Sequence, residues 1–511
     1  MIRGYHLFVP LLPLALFACG DSGENMDSSD SMADSTNDIG ESDADDASSD
    51  STGDGDTGAG TETDDTGSDD GDTGGDGEPG GDYCDALWSP DTEIWVDNEA
   101  GSPGGSGTEA DPVDSIAGGV AMASGKTHAL VQATDTAYEG VCVETKEVAI
   151  LGMDGRPKVD GIVECDGRNA LFFSRADDVW FVGFRLDTSA NAGESARALL
   201  FSGIVEAPIN RNYGCDLEAV GPGQGQAGRS LISSSLCYDC VLEDSSSIGA
   251  EEHGIYWTNH QDGSILRNNY VSDADGACIQ LNADPETYDG GNGIQDGHMS
   301  GGIVEGNIMF DCGNTDGGAA LNLAGVTDTV FRNNVIYGSN NPGGIANWDD
   351  GYSDWGDPGN FDFGCTGNTF AHNTIDCRGC DRHALSFRNG STNNTFVDNI
   401  VITDSDDAIA YDDESSAGLD IDYNIYAEGV VFEPPSEDWI DLGEWQALGF
   451  DENSFMSAVG GLFEAPDSGD YHLPPGSPAV DAGIDAGVSA DIEATPRPQG
   501  AGFDIGAYER Q

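Results

Sequence analysis

Short apolar runs separated by turns rich in Gly, Asn and Asp fill the chain beyond residue 83. The stretch from 251 to 282, EEHGIYWTNHQDGSILRNNYVSDADGACIQLN, shows this pattern, with the pair Asn268 and Asn269 between two β-type runs. Long segments of 3.6-residue periodicity, which helical repeats need, are missing. The pattern therefore predicts many short strands.

An Asn recurs at one position of this pattern, 25 to 39 residues apart, at Asn269, Asn307, Asn334, Asn373, Asn399 and Asn424, and the alignment places Cys240 before them. Units of this length with several strands each predict a solenoid, in which each coil buries its face against its neighbours. Asn tolerates a left-handed turn, and its amide can bond to the same amide in the next coil. We interpret the recurring Asn as a structural ladder.

Two further segments carry a resemblance to a known group. WVDNEAGSPGGSGTEADPVDSIAGGVAMASG, from Trp95, resembles the first strand and capping helix of right-handed parallel β-helix proteins of the pectin-lyase-like group. SPAVDAGI and PRPQGAGFDIGAYE resemble the segment that closes many secreted members. The resemblance covers about 93–511 and implies an all-β, right-handed parallel β-helix solenoid with an N-terminal capping helix. It does not imply an activity, because this fold carries lyases, hydrolases, epimerases and non-enzymes.

The first 82 residues predict export and a spacer. Residues 1–19 combine an Arg, a short apolar core and small residues, as a signal peptide does. Leu16-Phe17-Ala18-Cys19 resembles a bacterial lipoprotein cleavage site, which implies lipidation of Cys19; a plain secretion signal is the alternative. Residues 20–82 are an acidic, Ser-, Thr- and Gly-rich linker expected to be disordered. We expect a β-helix domain over 83–470 and a closing segment over 471–511, on a chain anchored to the bacterial outer membrane or cell surface.

Charge and cysteine content indicate which partners are disfavoured and which covalent links to expect. The net charge of −76 disfavours nucleic acid, whose phosphates need Lys and Arg. Twelve cysteines in an exported chain predict disulfides, and lipidation of Cys19 leaves an odd number, so at least one thiol should stay unpaired. The pairs Cys237/Cys240 and Cys377/Cys380 are expected to be disulfides or buried thiols rather than zinc ligands.

One strand of each coil can be aligned into columns. The expected inward column is Ile255, Ile279, Leu321, Ile345, Leu385 and Ile409. Alternation then turns two columns outward. They are Tyr256, Gln280, Asn322, Ala346, Ser386 and Ala410, and Thr258, Asn282, Ala324, Trp348, Arg388 and Asp412.

Two insertions follow this strand, after Asn282 and after Trp348, two coils apart. At about 4.8 Å per coil they would wall a groove roughly one sugar ring wide. Ala320, Asn322 and Ala324 would form its floor. We expect Tyr256, Gln280, Asn282, Asn322, Trp348 and Arg388 to bind an extracellular polysaccharide; the alternative is that these side chains only solvate the sheet.

Candidate chemistry lies near this groove. His253 could act as a general base. Asp273, Asp275 and Asp316 stand in equivalent turns and could bind Ca²⁺, through which Asp316 would take part in catalysis. The expected function is binding of a polysaccharide by a monomer, with cleavage of the lyase type ahead of hydrolysis. The alternative is a non-catalytic adhesion or structural module. Arg267, Glu305 and Arg332 are expected to form a structural column of alternating charge.

Overall fold

The computed structural model describes residues 84–511 except 192–194, 205–206, 224–228, 260, 284–296, 314–318, 339–342, 350–362, 405–406 and 437. Three long sheets of parallel strands run along the molecule, and each coil between the two ends contributes one strand to each sheet. This is the expected right-handed parallel β-helix, and the fold prediction is confirmed. Among these residues, no helix has the length and apolar content to cross a membrane.

The strands of sheet 1 are Thr92–Val96, Thr127–Gln132, Val148–Met153, Val179–Val182, Tyr213–Cys215, Val241–Glu243, Ile265–Arg267, Ile303–Glu305, Val330–Arg332, Thr369–Ala371, Thr395–Val397 and Asp420–Asp422. Those of sheet 2 are Tyr138–Glu139, Lys158–Gly161, Arg185–Asp187, Glu218–Val220, Ser246–Ile248, Tyr270–Ser272, Ile308–Phe310, Val335–Tyr337, Thr374–Cys377, Ile400–Thr403, Ile425–Ala427 and Phe455–Ser457. Those of sheet 3 are Val141–Val143, Arg168–Ser174, Arg197–Ser202, Ile232–Ser235, Ile255–Thr258, Ile279–Asn282, Ala319–Ala324, Gly343–Trp348, Leu385–Phe387, Asp407–Tyr411 and Val431–Glu433, with Val163–Cys165 antiparallel to the second.

Smaller elements complete the fold. Two short parallel pairs join Ile209–Asn210 to Cys237–Tyr238 and Met299–Ser300 to Val326–Thr327. The α-helices are α1, Ile116–Ala121, and α2, Leu442–Ala447. Single 3₁₀ turns cover Cys84–Ala86, Ser189–Asn191, Asp413–Ser415, Val459–Gly461 and Pro466–Ser468.

The Asn ladder is confirmed. The Asn269 amide donates to Asn307 at 3.0 Å, Asn307 to Asn334 at 3.0 Å, and the series continues through Asn373 and Asn399 to Asn424. The amides lie in the interior, at the turn from sheet 1 to sheet 2.

Two details of the ladder were predicted wrongly. The coil before Asn269 contributes Ser245, whose backbone N–H donates to Asn269, whereas Cys240 lies at the turn before sheet 1. The left-handed conformation belongs to the residue preceding the ladder Asn, with φ of 54° at Asn268 and at Asn333. In the Asn268-Asn269 pair, the first residue makes the turn and the second forms the ladder.

The two ends of the solenoid are closed by helices. The Ser115 side chain caps α1 by accepting from Gly118, and Ile116 and Val120 of α1 are buried against the first coils. At the other end Asp441 and Glu444 form a capping box on α2, which buries Trp445 against Phe432 of the last coil, with ring centroids 4.7 Å apart.

Among the described residues, five disulfides link Cys84 to Cys215, Cys142 to Cys165, Cys237 to Cys240, Cys278 to Cys312, and Cys377 to Cys380. Cys365 is unpaired and buried. Disulfide formation by both CxxC pairs and the presence of an unpaired thiol are confirmed.

The outer faces of the three sheets differ. On sheet 1, Trp88 of the N-terminal segment packs on Trp180, and further along Glu305 bridges Arg267 and Arg332, which confirms the column of alternating charge. On sheet 2, the C-terminal segment is packed through Tyr471, which donates to Asp376 at 2.8 Å. The residues predicted to bind a polysaccharide belong to strands of sheet 3 or directly follow one.

Candidate functional site

Sheet 3 has the register expected from the sequence. Ile255, Ile279, Leu321, Ile345, Leu385 and Ile409 pair successively in one column. The column Tyr256, Gln280, Asn322, Ala346, Ser386 and Ala410 follows at the next position. The second outward column pairs from Thr258 through Asn282 and Ala324 to Trp348.

The middle of this face holds a chain of hydrogen bonds. Asn322 donates to Gln280 at 2.6 Å and accepts from the Trp348 indole at 3.1 Å. Gln280 and Asn322 are 6% and 9% exposed. The Asn322 amide is therefore bonded to its neighbours rather than standing open as the centre of a groove floor.

The predicted floor needs a correction at Ala320. This residue belongs to the main hydrophobic core, and Ala324 is fully buried. Both insertions lie mainly outside the described residues, over 284–296 and 350–362. Of the small residues in the first outward column, Ala346 is partly exposed, whereas Ser386 and Ala410 are buried.

His253 is held in a turn. Its Nδ1 accepts the backbone N–H of Ala277 at 3.0 Å, and its ring lies 5.3 Å from that of Tyr256. This fixes the ring in place and commits Nδ1 to the turn. The catalytic role of His253 stays a prediction.

The expected calcium ligands are only partly described. Burial, together with the charges of Asp311 and Asp275, raises the pKa of Asp273. One oxygen of Asp275 is buried and has no hydrogen-bond partner among the described residues, which is compatible with a cation there. Asp316 lies outside the described residues.

A second polar cluster, which sequence analysis missed except for Arg388, lies towards the C-terminal end of the same face. We call His383, Asp407, Glu433 and Arg388 the terminal cluster. His383 Nδ1 lies 3.0 Å from Asp407 Oδ2, and Arg388 Nη2 lies 2.7 Å from Glu433 Oε1 and 3.4 Å from His383 Nε2. The contacts join all four side chains.

The strands explain how these residues meet. His383 and Asp407 stand two positions before the paired Leu385 and Ile409, so they occupy equivalent places in consecutive coils. The pairing of Asp407–Tyr411 with the last strand shifts register at Ala408. Such a bulge re-aims neighbouring side chains. Beyond it, Glu433 pairs with Ala410 and extends the outward column.

Burial and charge make the terminal cluster unusual. Asp407 is 5% exposed, and its Oδ1 has no hydrogen-bond partner among the described residues. Burial alone would raise the pKa of Glu433, but the hydrogen bond and charge of Arg388, with a contribution from His383, lower it. Glu433 is therefore held as a carboxylate.

The terminal cluster could also coordinate a metal. Within the described part of the chain, His383, Asp407 and Glu433 are the group of three whose potential ligand atoms lie within 4.8 Å of one another. One nitrogen and two oxygens suit a divalent ion. The Arg388 guanidinium, however, already contacts both His383 and Glu433, so the positive charge of the cluster comes from this chain.

The missed residues left a weak signal in the sequence. Extending the strand alignment two residues back would have stacked His383 on Asp407. Glu433 was harder to find, because its coil, VVFEPP, follows a bulge that no spacing reveals.

Comparison with known proteins finds similar structures only. No known protein-family model matches the sequence, and the search of curated proteins finds no match. Among solved structures, the chain is similar to pectate lyase Pel9A, with 14% identity, a TM-score of 0.49, and coverage of 83% of this chain and 97% of that one. It is also similar to a glycoside hydrolase, with 9% identity, a TM-score of 0.45, and coverage of 67% and 95%. For the Azotobacter vinelandii mannuronan C-5 epimerase AlgE6 A-module, the identity is 12%, the TM-score is 0.38, and coverage is 67% and 93%. Activity therefore has to be argued from this chain's own residues.

Proposed function

We propose that this protein is exported, is anchored through a lipid on Cys19, and binds an extracellular polysaccharide along the outer face of sheet 3, where the terminal cluster cleaves it by elimination. The observation that carries the proposal is the contact of an Asp–His pair with an Arg at the C-terminal end of sheet 3. Proton abstraction beside a carboxylate needs a base and a cation to stabilise the charge that develops.

The hydrogen bonds assign the roles. In a neutral His383, Nδ1–H donates to Asp407 and Nε2 carries the lone pair. This assignment agrees with the position of Nε2 near the Arg388 donor. His383 takes the proton from the carbon beside a uronate carboxylate. A carbon–carbon double bond forms as the bond to the linking oxygen breaks, and the protonated His383 returns its proton to that oxygen, which restores the neutral imidazole. Arg388 releases Glu433 and binds the substrate carboxylate in its place.

Hydrolysis by inversion fits less well. It needs two carboxyl groups about 6.5–9.5 Å apart to admit a water molecule. The ligand atoms of Asp407 and Glu433 lie within 4.8 Å of each other. The lowered pKa of Glu433 also disfavours it as a general acid.

Calcium remains part of the proposal. Ca²⁺ held by Asp273 and Asp275 would offset the charge of an acidic chain that takes an anionic glycan. A chelator should then weaken binding of the glycan more than it slows cleavage at the terminal cluster.

The test is the ultraviolet absorbance of unsaturated uronate products when residues 84–511 are incubated with polygalacturonate and with alginate. Wild type should produce the absorbance, and His383→Ala should reduce its rate at least ~100-fold, the size expected for loss of a general base. His253→Ala, which changes a His in the turn before another strand of sheet 3, is the matched control and should keep most of the rate. A loss confined to His253→Ala would reject the His383 assignment.

A non-catalytic adhesion module is the second candidate. It is favoured by the pairing of Arg388 with Glu433, which leaves no unpaired positive charge in the terminal cluster. Binding without unsaturated products, and without new reducing ends, would favour this candidate over the lyase.

A further inference from the structure

We infer that Trp439 forms a sugar-stacking subsite beside the terminal cluster and receives the flat face of a pyranose ring in the bound glycan. This inference rests on the proposed polysaccharide-binding function.

Backbone pairing places Trp439 on the correct side. Phe432 and Ile440 exchange both backbone hydrogen bonds, each at 3.0 Å, as an antiparallel pair. Their side chains face the core, Phe432 fully buried and Ile440 packed against it. Glu433 and Trp439 are the next residues towards the loop on each side of this pair. Alternation therefore turns both side chains outward, on the same side of the ribbon.

The exposure of Trp439 is exceptional in this molecule. It is 56% exposed, and no other Trp, Tyr or Phe of the described residues is classed as exposed. Trp445, six residues later, is fully buried. Keeping an indole in water forgoes the stabilisation that burial would give it.

The surroundings favour a sugar over a protein surface. Glu433 binds Arg388, so the indole stands near charged groups that can bond to hydroxyl or carboxylate oxygens. Pro434 and Pro435 follow Glu433 and restrict the loop that carries Trp439. A protein interface needs roughly 800 Å² of surface per partner, and a single ring supplies only a small part of it. One apolar face rimmed by polar groups matches one pyranose ring.

The experiment measures binding of polygalacturonate and of alginate by calorimetry, in the His383→Ala background so that cleavage cannot shorten the probe. Trp439→Ala should weaken the affinity for the bound glycan about tenfold, and Trp439→Phe should keep most of it. Leu448→Ala removes another exposed apolar side chain, 54% exposed and close in sequence, and should leave affinity unchanged. Thermal unfolding of each variant controls for folding.

The outcomes distinguish failure of the stacking subsite from failure of the proposed function. Equal affinities of Trp439→Ala and its parent would overturn the stacking subsite and leave the proposed function standing. If the parent binds neither glycan, the proposed function and the subsite both fail. A parent that is dimeric and becomes monomeric on Trp439→Ala would assign the indole to a second copy of the chain and also overturn the inference.

Discussion

Each amide of the Asn ladder bonds in both directions along the solenoid axis. Asn334 donates to Val304 at 2.8 Å and to Asn373 at 3.0 Å, and accepts twice from Asn307. Asn334→Ala would leave buried donors of Asn307 without partners, so we expect a loss of about 3 kcal/mol in the free energy of unfolding. Urea unfolding followed by circular dichroism measures it.

The matched control is Asn453→Ala. Asn453 is exposed, and within the described part of the chain its side chain bonds to Asp422 alone, so the loss in Asn453→Ala should stay within about 0.5 kcal/mol. Equal losses for the two variants would show that the ladder amides contribute no more than surface amides.

At the scale of single residues, the sequence predicted the ladder positions at which Asn recurs, but it missed the position at which another residue type takes the place of Asn. Six ladder Asn residues could be found because one residue type recurs at one position. Ser245 was missed because its hydroxyl accepts from Leu217 and so replaces an amide without resembling one. Cys240 was placed in the ladder by the similarity of its flanking residues alone.

The short helix α2 closes the last coil and depends on its cap. The Asp441 side chain accepts from the Glu444 N–H at 2.9 Å, and the helix buries Trp445, whose indole donates to Asp451 at 2.8 Å. Asp441→Ala should destabilise the helix by about 1 kcal/mol. Because Trp445 covers Phe432, amide hydrogen exchange should rise in the strand Val431–Glu433 more than in central coils.

Asp438→Ala serves as the control, since Asp438 is exposed and lies just before the cap. Unchanged exchange in Val431–Glu433 after Asp441→Ala would mean that α2 does not hold the last coil.

Elements were predictable where their pattern was periodic. The register of sheet 3 followed from alternation over six coils. The helix α2 carries a legible signal, Asp441 followed three residues later by Glu444, but six residues are too few to show a helical period. The bulge at Ala408 and the hairpin joining Phe432 to Ile440 depend on tertiary pairing, and the terminal cluster was missed with them.

For the molecule as a whole, the C-terminal segment is fastened to the solenoid by buried polar groups. Arg497 donates to Glu509 at 3.0 Å and to Asn333 at 3.3 Å, and His372 Nδ1 lies 3.1 Å from the Asp504 carbonyl. The backbone N–H of Ile484 donates to Asp398 at 3.2 Å. The resemblance to other closing segments suggested that 471–511 ends the domain, but it did not suggest that charged side chains hold it there.

Asp398 makes this fastening sensitive to pH. Burial raises the pKa of Asp398 to about 7, despite the hydrogen bond from Ile484 and the charge of Arg497, from an ordinary value of 3.8. The folded state therefore binds a proton that the unfolded state releases between these values. The stability this proton provides is complete below about pH 3.8 and is lost as pH rises through about 7. We expect the unfolding midpoint to fall between pH 5.5 and pH 8 by more in wild type than in Asp398→Asn, which cannot titrate.

The exposed Asp485 supplies the matched control, because Asp485→Asn changes the same charge in the same segment and should keep the wild-type dependence. Limited proteolysis locates the effect. At pH 8 cleavage of wild type should begin within 471–511 and should be faster than at pH 5.5. The reason is that the ionised Asp398 carboxylate is then buried beside the His372 ring, 3.5 Å away. If wild type and Asp398→Asn lose the same stability over this range, the pH dependence belongs to the general acidity of the chain, whose mutual repulsion also grows as carboxylates ionise. A difference between the two variants, with cleavage confined to the C-terminal segment, would assign it to Asp398.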